Sequence, residues 1–126
     1  MTATYNATVT REGTAWLAQA DNLPEAHTWA PTLAALRTAI ADAIALADDL
    51  DDAVTPLVLL SADPSLPSEV ANAIEVGNRR ARLRAAEAEL RADTLATVHD
   101  LLQAGYTVRD TAGAVGLTPG RITQIA

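Results

Sequence analysis

Residues 107–126 read TVRDTAGAVGLTPGRITQIA, and the punctuation of that stretch sets the architecture of this end of the chain. A short helix is expected from Thr107 to Val115, followed by a sharp turn at Gly116, where glycine reaches positive φ without a steric penalty. A second helix is expected to open at Thr118, a good N-cap, with Pro119 in its first turn, where the missing N–H is one the helix leaves unpaired anyway. Ala112 is small enough to let two helices approach. Val115, Leu117, Ile122 and Ile125 are spaced to fill the wedge between them. This is the pattern of a helix-turn-helix, whose second helix is offered to the major groove of double-stranded DNA. The competing reading is an ordinary helical hairpin, and Thr111 stands where the motif usually carries an apolar residue. On the helix-turn-helix reading, Thr118, Arg121, Thr123 and Gln124 face the groove. Arg121 can bond guanine or a phosphate, and Gln124 can pair with adenine. Arg109, on the first helix, is placed for a phosphate. So few donors on one copy imply a dimer, or a higher oligomer, reading repeated half-sites.

Upstream, the pattern is helical from Ser68, a good N-cap, to about Ala104, with Gly105 as the stop. Leu95, Val98, Leu101 and Leu102 form an apolar face suited to covering the two motif helices. Glu75 with Arg79, and Glu87 with Arg91, are i,i+4 pairs in the favourable order. Gly77-Asn78 and Ala92-Asp93-Thr94 are the two places where this helix would break. Val76, Leu83 and Leu90 fall seven apart, but the positions between are mostly polar, which argues against a coiled coil. Arg79, Arg80, Arg82 and Arg84 suit phosphates or an acidic partner. They spread around most of the helix circumference, so they cannot all touch one duplex, and a solvated helix face accounts for them too.

The first half of the chain reads differently. Tyr5 to Thr10 alternates apolar and polar, as a half-buried strand does. Gly13 sits in a turn, and Ala15 to Ala20 reads as the hairpin partner. Residues 21–24 form a loop, and His27 to Ala30 is a short third strand. From Pro31 or Thr32 a helix follows, with Leu33, Leu36, Ile40, Ile44 and Ala47 on one face. Asp48, Asp49, Asp51 and Asp52 close it. The apolar run from Pro56 to Leu60 is a buried fourth strand, and two prolines in residues 63–67 mark a linker. The expected fold is therefore α+β: a small antiparallel sheet with one packed helix in the order β-β-β-α-β over residues 1–62, then, after the linker, a helical region over 68–126 with the helix-turn-helix at 107–126.

Charge divides the chain further on, between residues 78 and 79. The net is −7, but residues 1–78 hold two Arg against eleven acids, a net of −9, and residues 79–126 hold seven Arg against five, a net of +2. The C-terminal part can approach phosphate, whereas the N-terminal part is repelled by it and suits a basic partner. Hydrophobic residues are 49% but include no Phe, two Trp and two Tyr, so the core is thin and a second copy is a natural source of stability. Cysteine is absent, which removes disulfides and thiolate metal sites. The N-terminus lacks the basic and apolar regions of a signal peptide, and no apolar run is long enough for a bilayer, so no membrane association is expected and the cytoplasm is the expected compartment.

Tyr5 to about Asp52 resembles the HicB-like antitoxin family. The resemblance rests on Tyr5 opening the first strand, Gly13 and Trp16 around the hairpin, Asn22-Leu23-Pro24 after strand two, Thr28 in the next strand, and the helix from Thr32 to Leu50 ending in Ala43-Ile44-Ala45-Leu46. It departs at Pro24-Glu25-Ala26, where members usually carry a Pro-Gly-Cys-like turn. The resemblance implies a self-associating α/β module that neutralises a small basic RNA-cleaving toxin, and a DNA-binding tail that represses its own operon. A stand-alone dimeric regulator with no toxin is the alternative, and a scaffold that never touches DNA is a third.

Asp48, Asp49, Asp51 and Asp52 are candidates for the toxin-facing surface. A solvated helix end explains them equally, and they lack the Gly and the alternation of a calcium loop. His27 and His99 are far apart in the chain, and no nucleophile motif or glycine-rich phosphate loop is present. No catalytic residues, metal or cofactor are therefore expected. Trp16 and Trp29 read as core or dimer-interface residues ahead of a ligand box.

Overall fold

Alternation works as expected in the first strands of the computed structural model, which describes residues 2–126. In β1 (Thr2–Glu12), Ala7 and Val9 are wholly buried; in β2 (Ala15–Ala20), Trp16, Ala18 and Ala20 are buried while the residues between them are not. The hairpin pairs Arg11 with Trp16 and Glu12 with Ala15, and Gly13 takes φ 58 in the turn. The Arg11 guanidinium lies 4.4 Å from the Trp16 ring centroid, a cation–π contact at the rim of the core. β3 (Leu23–Ala30) pairs antiparallel with β2, with an irregularity at Gln19/Ala20, and begins four residues earlier than His27. Pro24 is tolerated there because β3 is an edge strand.

α1 (Leu33–Ala47) packs Leu36, Ile40 and Ile44, all wholly buried, on the inner sheet face. That face is built largely from Ala7, Ala18, Ala20, Ala26 and Ala30, so the bulk comes from the helix. Each large aliphatic side chain buried there contributes about 1.5–3 kcal/mol. Thr32 caps the helix by accepting from the Ala35 N–H, and Asp48 ends it, with Asp49 in the left-handed region at φ 49.

The sheet is mixed, not antiparallel throughout. Its order is β3-β2-β1-β4, and β4 (Thr55–Ala62) pairs parallel with β1. The reason is the helical crossover. β3 runs in the direction of β1, both being antiparallel to β2, and a strand–helix–strand unit returns its second strand in the direction of its first. The near-continuous apolar run in β4 suits parallel pairing.

The chain forms two compact units, one ending at Ala85 and the other covering Ala86–Ala126. The division thus falls inside α2 (Ser68–Gln103) and not at residues 63–67. Val70 and Ile74 of α2 belong to the core beneath the sheet. Asn78 is 3% exposed; its Nδ2 donates to the Leu60 carbonyl at 2.7 Å, and its Oδ1 accepts the Leu60 N–H at 3.0 Å. One side chain thereby satisfies the backbone of edge strand β4 as a neighbouring strand would. Arg37 of α1 donates to the Ile74 carbonyl at 3.2 Å and reaches Asn78 Oδ1 at 3.5 Å. Burial of this guanidinium lowers its pKa from the usual value. A Cβ at Gly77 would lie 2.5 Å from Arg37 Nη2, so glycine makes room for the clamp.

α2 is unbroken at both expected weak points. Asn78 spends its amide on β4 instead of competing for its own helix backbone, and Thr94 donates within the helix to the Leu90 carbonyl at 2.6 Å. In the second unit, α2 is followed by α3 (Val108–Val115) and α4 (Pro119–Ile125). Among the described residues, no helix is long and apolar enough to cross a membrane.

Candidate nucleic-acid interface

The helix-turn-helix is built by three local devices. Thr107 caps α3, its Oγ1 accepting the Asp110 N–H at 3.1 Å. Gly116 ends α3 at φ 78, and the N–H groups of Gly116 and Leu117 both bond the Ala112 carbonyl, which turns the chain. Thr118 caps α4, its Oγ1 accepting the Arg121 N–H at 3.2 Å, with Pro119 in the first turn.

One small core holds the pieces together. Val98 of α2, Ala112 of α3 and Ile122 of α4 are each no more than 1% exposed, and Leu102, Val115 and Ile125 pack against them. Leu117, expected in the wedge, is 36% exposed; the tight turn at Gly116 carries it to the surface. Thr111 is wholly buried, and its hydroxyl has no hydrogen-bond partner. The position is thus an apolar one occupied by a polar residue.

Burying Ile122 leaves the rest of α4 facing outward. Thr118, Arg121, Thr123 and Gln124 are exposed, as is Arg109 on α3. Their hydrogen bonds refine the reading. Arg121 Nη1 donates to Gln124 Oε1 at 3.1 Å, so the two base-reading candidates hold each other. The other guanidinium donors remain available to a guanine edge or phosphate. Gln124 Oε1 keeps a second lone pair and its Nε2 is free, so it can still pair with adenine through both amide atoms while holding Arg121. Thr123 donates to the Pro119 carbonyl at 3.1 Å, and the Thr118 oxygen serves the cap, so these two hydroxyls have local work.

Arg79, Arg80, Arg82 and Arg84 are all exposed. Among the described residues the ion pair on α2 is Arg82 with Glu75 at 3.5 Å, two turns apart, in place of the expected Glu75–Arg79 and Glu87–Arg91 pairs. Such half-exposed partners exchange easily because solvent screens each of them.

The acid run after α1 is partly committed to local structure. Asp48 accepts the Tyr5 hydroxyl, which raises the phenol pKa above its ordinary value; Asp51 Oδ1 accepts the Ala53 N–H at 2.9 Å. Asp49 and Asp52 are exposed. Among the described residues, no three His, Asp or Glu side chains converge as metal ligands would.

Two shallow hollows lie on the surface. One of about 670 Å³ lies on the outer sheet face, lined by Thr8, Thr10, Leu17, Gln19, His27 and Trp29. Trp29 is 66% exposed there, so it is not a core residue, whereas Trp16 is. The other, of about 430 Å³, belongs to the second unit and is lined by Leu95, His99, Leu102, Gln103 and Ile125. Asn78 and Arg37 were not visible from sequence as structural residues, because a helical Asn and a lone Arg give no periodic signal. No protein-family model, no curated protein and no solved structure matches this chain.

Proposed function

We propose that this chain is a DNA-binding antitoxin that represses its own operon, with α4 as the recognition helix. The observation that carries the reading is the division of α4 into two faces. Ile122 is wholly buried in the small core, while Arg121, Thr123 and Gln124 stand outward on a helix capped by Thr118. A recognition helix needs that arrangement: a fixed axis and a polar face free to meet base edges. Repression then follows from occupancy. Two copies of α4 hold neighbouring half-sites and exclude polymerase, and no bond is made or broken.

The antitoxin part of the proposal draws on the resemblance of Tyr5 to Asp52 and on the net charge of −9 over residues 1–78, which suits a basic partner. A stand-alone regulator is the second reading. It is favoured by one observation: Asp48 and Asp51 already bond within the chain, so the acid run is only partly free for another protein.

Two experiments test this pair of readings. In fluorescence anisotropy with the DNA preceding its own coding sequence, affinity falls steeply with salt through counterion release. Arg121→Ala weakens specific binding most, and Arg109→Ala weakens all sequences alike. Equal operator affinity for Arg121→Ala and the parent overturns α4 as the reader. Co-expression with any small basic protein encoded beside it gives a stable complex for an antitoxin and none for a stand-alone regulator.

A further inference from the structure

The two edges of the sheet differ. Asn78 seals β4 by bonding both the N–H and the carbonyl of Leu60. At the other edge, β3 has no such partner among the described residues. The first half of β3 is blunted, because Pro24, Glu25 and the register shift at Gln19/Ala20 make it a poor template for another strand. The second half, residues 27–30, pairs regularly with β2 and carries neither proline nor acid.

The alternation of hydrogen bonds tells which groups of that half are free. The Asp21 N–H bonds the Asn6 carbonyl at 2.9 Å, which continues the β1–β2 register by one pair. Bonded and non-bonded pairs alternate along an antiparallel ladder. Leu17 and Gln19 therefore bond β1, while Trp16 and Ala18 bond β3 at Ala30 and Thr28. The N–H and C=O groups of His27 and Trp29 are left pointing out of the edge. The side chains of the same two residues are exposed on the outer face, Trp29 by 66%.

We propose that β3 pairs antiparallel with the β3 of a second copy through residues 26–30, joining two sheets into one of eight strands. A two-fold axis normal to the sheet is the symmetric arrangement that joins two like edges and keeps both helix-covered faces on one side, and it makes the strands antiparallel. The free backbone groups then select the register. Centring the pair on His27 would draw Glu25 and the blunted half into the ladder. Centring it on Trp29 would set Pro31, which has no N–H, against His27. Pairing His27 with Trp29 of the second copy avoids both, and symmetry gives four backbone bonds. In that register Thr28 meets Thr28 of the second copy on the axis, a favourable cross-strand pair, and Ala26 meets Ala30. Trp29 lies beside Leu17 of its own copy and His27 of the other, so its open side is covered. This pairing rests on the first unit alone and holds whether or not α4 reads DNA.

Sedimentation equilibrium on the full chain tests it, with circular dichroism as the control for folding. The parent is expected to be a dimer. His27→Pro deletes one outward N–H per copy and leaves the bonds to β2 in place, and proline is tolerated on an edge strand, so the variant should fold. It is expected to raise the dimer dissociation constant by about thirtyfold or more, for two lost bonds. A parent that stays monomeric leaves this edge to a strand of another protein and overturns the pairing, as does a folded His27→Pro variant that dimerises as tightly as the parent. The register is read separately, because the chain has no cysteine. Thr28→Cys is expected to form a disulfide-linked dimer on oxidation, since residue 28 meets its counterpart on the axis. A Thr28→Cys variant that stays unlinked contradicts the register.

Discussion

Replacing Asn78 with alanine removes the group that seals the edge of β4. The side chain makes two bonds to Leu60, at 2.7 and 3.0 Å, at a position only 3% exposed. Each bond contributes about 1 kcal/mol net, and a buried backbone group left without a partner costs about 1–3 kcal/mol. Two such groups place the destabilisation at about 2–6 kcal/mol, with the Arg37 contact also lost. That is a large share of the roughly 5–15 kcal/mol typical of a folded chain. Urea unfolding followed by tryptophan fluorescence is the assay, because Trp16 is buried in the same core. The midpoint should fall with the slope unchanged. Asn78→Asp keeps the acceptor for the Leu60 N–H but sets a buried oxygen against the Leu60 carbonyl, so it too should destabilise. If Asn78→Ala lies within about 0.5 kcal/mol of the parent, as a surface substitution would, water already satisfies this edge and the strand-mimic account is wrong.

Thr111→Val replaces a buried, unpartnered hydroxyl with a methyl of similar size and should stabilise the second unit by about 1 kcal/mol, read as a higher thermal midpoint by circular dichroism; a lower midpoint would mean the hydroxyl has a partner. Thr118→Ala removes the α4 cap at a cost of about 1 kcal/mol, seen as faster amide exchange at Arg121. The Tyr5 phenol pKa is raised by its bond to Asp48, so that bond's contribution to stability is complete below the ordinary value of 10.0 and is lost as pH rises through the folded value. An ultraviolet tyrosinate titration should show this late step, and Tyr5→Phe should abolish it. Asp63 behaves with the opposite sign. Its bonds to Ser65 lower its pKa, so its contribution is present above the ordinary value of 3.8 and disappears as pH falls through the folded value, which acid unfolding of Asp63→Asn against the parent would reveal.

Most of the elements could be read in the sequence because their causes are local. Period-two alternation located β1 and β2, and the Leu36, Ile40, Ile44 spacing located α1. Thr107, Gly116 and Thr118 fixed α3 and α4 nearly to the residue, since caps and positive φ demand particular residue types. What escaped depends on partners distant in sequence. The parallel placement of β4 follows from a crossover, although its unbroken apolar run carried a hint. Asn78 read as a helix breaker because its strand partner, eighteen residues earlier, leaves no mark on the local pattern. Trp29 read as a core or interface residue, and its parity, which puts it opposite Leu17 on the outer face of the sheet, removes only the core alternative. At the candidate interface, residue identity gave the outward set, but not the bond that ties Arg121 to Gln124.

The central claim is that α4 enters a DNA groove, and amide chemical-shift mapping of the full chain during titration with its upstream DNA tests it most directly. The account predicts that the largest shifts fall on Thr118, Gly120, Arg121 and Gln124, with smaller ones at Arg109 and almost none on the sheet. Saturable binding that leaves the α4 amides unmoved, or no binding at low salt, would contradict it.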